Sequence, residues 1–465
     1  MVLPILPLLV LIPFISIIPI LFFEKQGIRT TQIITSSIVL VLALVLIYLA
    51  AANFTLSFSY GYISILGVNF SLQINSISLI LVLMSALVFF AASLVFNNFI
   101  KENERIYAVL FALVQGSSIA LFLSSNLLVL YLFWEIAEFS MFFIILLFGN
   151  LNRRQAAIKF IVYSIVSSML LFLGFLVIYT GITPHTFDIS SIISNAASMP
   201  APMQLYALVL LFTAFAIKTP VFPFHSWLPD AHTEAPTTGS MVLAGVMLKF
   251  GGYGFILTVT MLPIALSYAV PMAALFILSS IYAALVAMRQ HNIKRMIAYM
   301  SITEMSIVVF AVVSGSAQAL NGALYAMLAH GLAVSLLFLL AGSIFEAYGT
   351  LEIKALKGII RNFRPAAWLF VFGAFAIAGL PLTSGFIGDL LIFIGTYSVF
   401  GVSAFLPLAA ILILAGLLFW ITEKVFMSGK ATTPVEIIPK RVYYTGIFLA
   451  ASTIILGIAP FLLIH

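Results

Sequence analysis

The sequence predicts an all-α polytopic membrane protein of about 14 transmembrane helices, built as two inverted five-helix repeats with a broken helix in each. Three observations lead there. Of the 465 residues, 63% are hydrophobic and 7% are charged, against roughly 25% charged in a soluble domain. Apolar runs of about 20 residues recur along the chain, each long enough to cross a bilayer. The basic residues fall in alternate loops, as in multi-pass proteins. So little charge excludes a soluble globular enzyme, and so apolar a composition excludes a disordered chain. The absence of cysteine excludes disulfides, thiolate catalysis, iron–sulfur ligation and cysteine-based zinc sites. A net charge of +6 reads as inner-loop bias rather than nucleic-acid binding.

In order, the runs lie near 2–23, 31–51, 77–96, 107–124, 127–149, 156–180, 203–220, 238–261, 264–288, 293–313, 318–346, 368–395, 405–425 and 442–463. The first has no positive segment before it and no small-residue cleavage site, so it reads as a span and not a signal peptide. Between the second and third, 53–76 alternates (Leu56, Phe58, Tyr60) without charge and reads as an ordered, hairpin-like outer loop. Eighteen of the 20 Lys and Arg lie in odd-numbered loops and none in even-numbered ones. The positive-inside rule then places both termini outside. The two remaining are Lys218 and Lys249, inside the seventh and eighth runs.

Charge at a helix centre costs at least ~2.5–3.5 kcal/mol on insertion scales, so each intramembrane ionisable group needs a cause. Besides the lysines these are Glu135, Glu138, Glu304, His330 and Asp389. Plain readings exist for some. Glu138, one turn from Glu135, pairs with a neighbouring helix or is protonated; His330 is a core histidine bonded across helices; Asp389 caps a restarted helix. Spread over six helices, the set as a whole points to a hydrophilic path through the bilayer.

Two runs are also interrupted, by Lys218-Thr-Pro220-Val-Phe-Pro-Phe-His225-Ser-Trp-Leu-Pro-Asp230 and by Gly379-Leu-Pro381-Leu-Thr-Ser-Gly385. Proline removes a backbone donor, and unwound backbone at membrane depth survives only against protein or a wet cavity. The breaks correspond. With spans four to eight and nine to thirteen as units, each break is in the fourth helix. Glu135 and Glu304 sit on the second helices, 83 and 85 residues before Lys218 and Asp389. Five helices per unit gives the units opposite topology. The organisation is therefore 1–106 (three spans and outer loop), 107–261 and 264–425 (the repeats) and 442–465 (a last span).

Lysine is the informative residue type, because a buried amine can give up its proton and a guanidinium cannot. A carboxylate within about 4 Å, at an effective dielectric near 20, contributes about 4 kcal/mol. Glu135 approaching or leaving Lys218 would therefore set whether that amine is charged. Lys249 reads as a central relay, and His330 and Glu304 as carriers towards Asp389. No nucleotide loop or cofactor motif is present, so the driving force has to come from partners.

Ala214-Phe-Ala-Ile-Lys218 through His225, His232, Glu234 and Pro236, followed by Ala244-Gly-Val-Met-Leu-Lys249-Phe-Gly-Gly-Tyr-Gly254, resembles the antiporter-like subunits of respiratory complex I. This family is shared with Mrp antiporters and membrane-bound hydrogenases, and the match is best to its M (chain four) type, over roughly 107–395. The resemblance makes Phe133-Trp-Glu135 the fifth-helix glutamate, and Lys218 and Lys249 the seventh- and eighth-helix lysines. It makes Met327-Leu-Ala-His330 the eleventh-helix histidine and Asp389 the acidic twelfth-helix exit group, with Glu138, His225, His232 and Glu234 in support. An acidic exit residue and a chain that stops at His465, without a long lateral helix, favour the M type. In Ala298-Tyr-Met-Ser-Ile-Thr-Glu304, glutamate stands where the family usually has histidine, and a carboxylate-rich path also admits Na⁺.

The implied function is that of a non-redox, proton-translocating membrane-arm subunit of an NADH- (or other donor-) quinone oxidoreductase. Donor, flavin, iron–sulfur clusters and quinone are expected on partner subunits, and no cofactor or metal on this chain. Expected partners are L- and N-type subunits, small membrane subunits and the lipid of a prokaryotic plasma membrane. The rival readings are a subunit of a multisubunit Na⁺/H⁺ antiporter or membrane-bound hydrogenase, and a stand-alone secondary transporter.

Overall fold

The computed structural model describes residues 5–52, 54, 56–63, 68–460 and 463. The first span is formed by α1 (Ile5–Ile15) and α2 (Ile17–Phe22), the second by α3 (Lys25–Ala51); residues 2–4 of the expected first run lie outside the described part. A hairpin follows, β1 (Ser57–Ile63) antiparallel to β2 (Val68–Gln73), with Ser57 opposite Gln73. The alternating outer loop thus supplies the one sheet among the described residues; its residues 53, 55 and 64–67 lie outside the described part. Asn75 then starts α4 (Ser76–Phe99) with a capping box: its Oδ1 accepts the Ser78 N–H, and Ser78 Oγ accepts the Asn75 N–H, both at 2.8 Å.

The segment expected as the first repeat runs through α5 (Glu104–Leu123), α6 (Leu127–Phe148), α7 (Arg153–Gly181), the short α8 (Ile189–Asn195) and α9 (Ala201–Lys218). The chain unwinds after Lys218, resumes as α10 (Trp227–Glu234), and returns through α11 (Thr237–Val242) and α12 (Leu248–Met261). A π-helical turn, Leu243–Met247, joins these two into one span. The segment expected as the second repeat contains α13 (Ala269–Ala287), α14 (Ile293–Val313), α15 (Ala317–Tyr348), α16 (Arg364–Ile377), α17 (Ser384–Phe400) and α18 (Leu406–Ile421), and α19 (Lys440–Ile458) follows it.

Among the described residues, thirteen helical stretches are long and apolar enough to span a membrane. The difference from fourteen lies at the second break. The run expected at 368–395 is two helices, and α16, at 14 residues, is too short to qualify alone. Its second half, α17, continues into α18 as one 44-residue apolar stretch, Ser384–Met427. That is about twice a single crossing. A 3₁₀ turn at Gly401–Phe405, with Gly401 at φ +57°, divides it.

The most apolar stretches of α14 and α15 are buried throughout, whereas α3 and α7 present Ile34, Val41, Val162 and Met169 outward, where acyl chains solvate them. Small residues set the closest approach between α15 and α17. A Cβ on Gly388 would come within 2.7 Å of the Ala326 nitrogen, and one on Gly395 within 2.7 Å of the Ala319 Cα, so α17 lies backbone-to-backbone on α15. Gly395→Leu is therefore expected to lower thermal stability by at least the ~1–3 kcal/mol of core overpacking. Gly416→Leu, with nothing within 4 Å of its added Cβ, serves as the neutral control in the same melting experiment.

Candidate functional site

Lys218 is the last residue of α9, so its amine is presented where the helix stops. It forms an ion pair with Glu138 of α6, and both side chains are 1% exposed. Aromatic rings close around it: the ammonium is 5.1 Å from the Phe160 ring centroid, 5.5 Å from Trp227 and 5.9 Å from Trp134. Cation–π attraction grows when the charge is desolvated, as here. Trp227, the first residue after the break, donates its Nε1–H to the Ile217 carbonyl at 3.0 Å. The break thus stitches itself back onto the helix it interrupts.

The expected partner of Lys218 was Glu135; the carboxylate in the ion pair is Glu138. Both lie on one face of α6, three residues apart, and the depth at which α9 ends selects the second. Glu135 is only partly buried.

Lys249 is fully buried on α12. Its Nζ donates to the Ala244 carbonyl at 2.7 Å, within the π-helical turn, and lies 2.7 Å from His330 Nδ1 on α15. Such turns re-aim a helix locally and recur at functional positions. Two nitrogens this close are joined by one hydrogen bond. An ammonium or a neutral amine donates to a bare Nδ1, or a neutral amine accepts from an Nδ1–H.

Glu304 is buried on α14 and within electrostatic reach of Asp389 on α17. A Cβ at Gly379, which has φ +75°, would meet Asp389 Oδ2 at 2.8 Å. The second break and this carboxylate therefore occupy one place, as the first break and Lys218 do. Pro220 and Pro381 both fall between helices.

Of the supporting residues, Glu138 is in the Lys218 pair, and the others make contacts of their own. His225 packs beside Tyr282 and Tyr299. His232 is buried and stacks on Phe338 at 4.5 Å. Glu234 accepts the Asn152 N–H at 2.9 Å, tying α10 to the start of α7. Two features escaped the sequence. Lys294, counted with an inner loop, is buried in the first turn of α14 and donates to the Ala235 carbonyl at 2.9 Å. Asp230 bridges Lys159 (2.7 Å) and Arg295 (2.6 Å), clamping α10 to α7 and α14.

Partial burial raises the Asp230 carboxyl, but hydrogen bonds and charge from Lys159 and Arg295 outweigh it and hold the group below the ordinary aspartate range. Because the folded value is depressed, the clamp stabilises fully above the unfolded aspartate value and its contribution is lost as pH falls through the folded one. Asp230→Asn is expected to lower the melting temperature by a constant, salt-sensitive amount at neutral pH. The gap to the parent protein should close on acidification below about pH 4. A gap that persists there would disprove the clamp.

A bundle of apolar helices with two interrupted members, each break beside an ionisable residue, and with further ionisable groups buried among its helices, defines a polytopic membrane protein. The chain belongs to the NADH:quinone oxidoreductase/Mrp antiporter transmembrane family, whose model matches residues 124–417. It is 36% identical to NADH-quinone oxidoreductase subunit M of Rickettsia bellii, over 99% of this chain and 95% of that one. It is 35% identical to F(420)H(2) dehydrogenase subunit M of Methanosarcina mazei, over 79% and 75%. Among solved structures it superimposes on a chain of respiratory complex I from Thermus thermophilus with a TM-score of 0.90, 25% identity and coverage of 98% and 96%. It shares its fold with a chain of the Mrp complex from Dietzia sp. at a TM-score of 0.89 and 17% identity, covering 99% and 96%.

Proposed function

We propose that this chain is a proton-translocating membrane-arm subunit of a complex I-like quinone oxidoreductase. The observation that carries the reading is the Lys218–Glu138 ion pair, buried at a helix break and closed in by aromatic rings. Membership of the family and near full-length identity to subunit M relatives support it.

In this reading, separation of Glu138 from Lys218 makes the amine release its proton, and re-approach recharges it. The proton in the hydrogen bond between Lys249 and His330 is the central store. Glu304 and Asp389 pass it to the exit, and Glu135 stands on the entry side. The termini face outward, by the distribution of Lys and Arg. Electron donor, flavin, iron–sulfur clusters and quinone belong to partner subunits, with L- and N-type subunits as neighbours. The chain contributes no redox step.

Affinity purification from native membranes tests the reading. Co-purification of quinone-reductase subunits supports it. Mrp-type antiporter or hydrogenase subunits in their place would redirect it to that same-fold alternative, and a chain isolated without partners would overturn it.

A further inference from the structure

The basic residues of the inner loops divide into two groups by what they touch. Before residue 300 most are engaged. Lys25 pairs with Glu104 at 3.4 Å, Lys101 with Glu346 at 3.6 Å, and Lys159 and Arg295 with Asp230. Arg105, Arg153 and Lys294 donate to the carbonyls of Phe23, Gly149 and Ala235. Beyond residue 350 the pattern reverses. Among the described residues none of the eight Lys and Arg there has a carboxylate within 4.0 Å. Only three acidic residues, Glu352, Glu423 and Glu436, share their two loops. The positive-inside rule accounts for the side these residues occupy. It does not account for a folded surface that gathers them unpaired.

That surface is built, because the two loops are laced together. Thr432 donates its N–H to the Lys357 carbonyl at 2.9 Å and accepts the Lys357 N–H on Oγ1 at 3.0 Å. Asn362 donates to the Thr432 carbonyl at 2.6 Å. Gly358, at φ +59°, lets the first loop press on Ala431, and the Lys357 stem lies along Gly429, next to Lys430. The backbones carrying Lys357 and Lys430 are thus held together, and Lys354, Arg361 and Arg364 are exposed along the same first loop.

Two exposed tryptophans lie near the ends of the helices that carry these loops. Lys424 Nζ stands 4.9 Å from the Trp420 ring centroid, and Trp420 and Trp368 are 41% and 52% exposed on the outward face. Exposed tryptophans mark the membrane–water interface. We propose that the platform formed by 354–364 and 424–432 binds the phosphate headgroup of an anionic phospholipid from the adjoining leaflet, with Trp368 and Trp420 against its glycerol–acyl boundary. Clusters of four to eight basic residues just inside the membrane attract anionic lipid in this way, and these are held with few competing carboxylates.

Native mass spectrometry of the purified chain in its complex, titrated with dioleoylphosphatidylglycerol or dioleoylphosphatidylcholine in mixed micelles, tests the site. The parent protein is expected to retain phosphatidylglycerol roughly fivefold over phosphatidylcholine. The triple variant K357Q/R361Q/K430Q should lose that preference, while K357R/K430R and the distant R154Q/R289Q keep it. A triple variant with the full preference, a parent protein with none, or displacement of the lipid by inorganic phosphate would each overturn the proposal. Equal melting temperatures of parent and triple variant in neutral detergent show that the loss is not unfolding.

Discussion

Lys218→Met is expected to abolish proton translocation in the complex that assembles, and to lower its stability, because Glu138 is left buried without its counter-ion. The methyl-capped side chain fills the same aromatic enclosure of Trp134, Phe160 and Trp227, but it carries no proton. The carboxylates separate by a second readout. Removing one partner of a buried ion pair costs about 3–5 kcal/mol, because the other charge is left without a counter-ion. Glu138→Gln should therefore destabilise strongly, while Glu135→Gln, only partly buried and outside the pair, should lower pumping with little change in melting temperature. Glu138→Gln combined with Lys218→Met should regain most of the lost stability and none of the pumping, since an uncharged pair needs no compensation. Donor-driven acidification of proteoliposomes, with assembly followed on native gels, reads both quantities. Full pumping by an assembled Lys218→Met complex would end the mechanism.

What the sequence disclosed follows from how strongly the bilayer constrains each feature. A span must be a long apolar helix, so α14 and α15 were legible almost to the residue, at 293–313 and 318–346 against Ile293–Val313 and Ala317–Tyr348. The helix α16 was not: 14 residues do not cross a membrane, and its apolar character merged with that of α17. Lys218 and Lys249 stood out because nothing else basic lies outside the odd-numbered loops. Their partners did not. Choosing Glu138 over Glu135 depends on where along α6 the end of α9 comes to rest, which is a matter of helix packing and not of pattern. Lys249 and His330 are 81 residues apart, and their contact needs the π-helical turn at Leu243–Met247. No proline announces that turn, and its single glycine, Gly245, does not mark it, because glycine is frequent in membrane helices.

Lys249→Arg gives the sharpest test of what the central pair does. A guanidinium keeps the positive charge and can still donate to the Ala244 carbonyl and to His330 Nδ1, so a purely structural role would survive it. It cannot release a proton at any physiological pH. The complex should assemble normally and pump at least roughly tenfold more slowly, because a change of only 1.4 kcal/mol at a required deprotonation already gives that factor. Lys249→Met should also fail to pump, now for want of any proton at the site. His330→Gln keeps an acceptor for the ammonium but removes the second titratable nitrogen, and so should slow translocation less than either. If the arginine variant pumps at the parent rate, Lys249 is a fixed charge that shapes the field along the path, and the moving proton has to be carried past it by His330 and its surroundings. If it assembles and does not pump, the proton held between two nitrogens 2.7 Å apart is one that must leave.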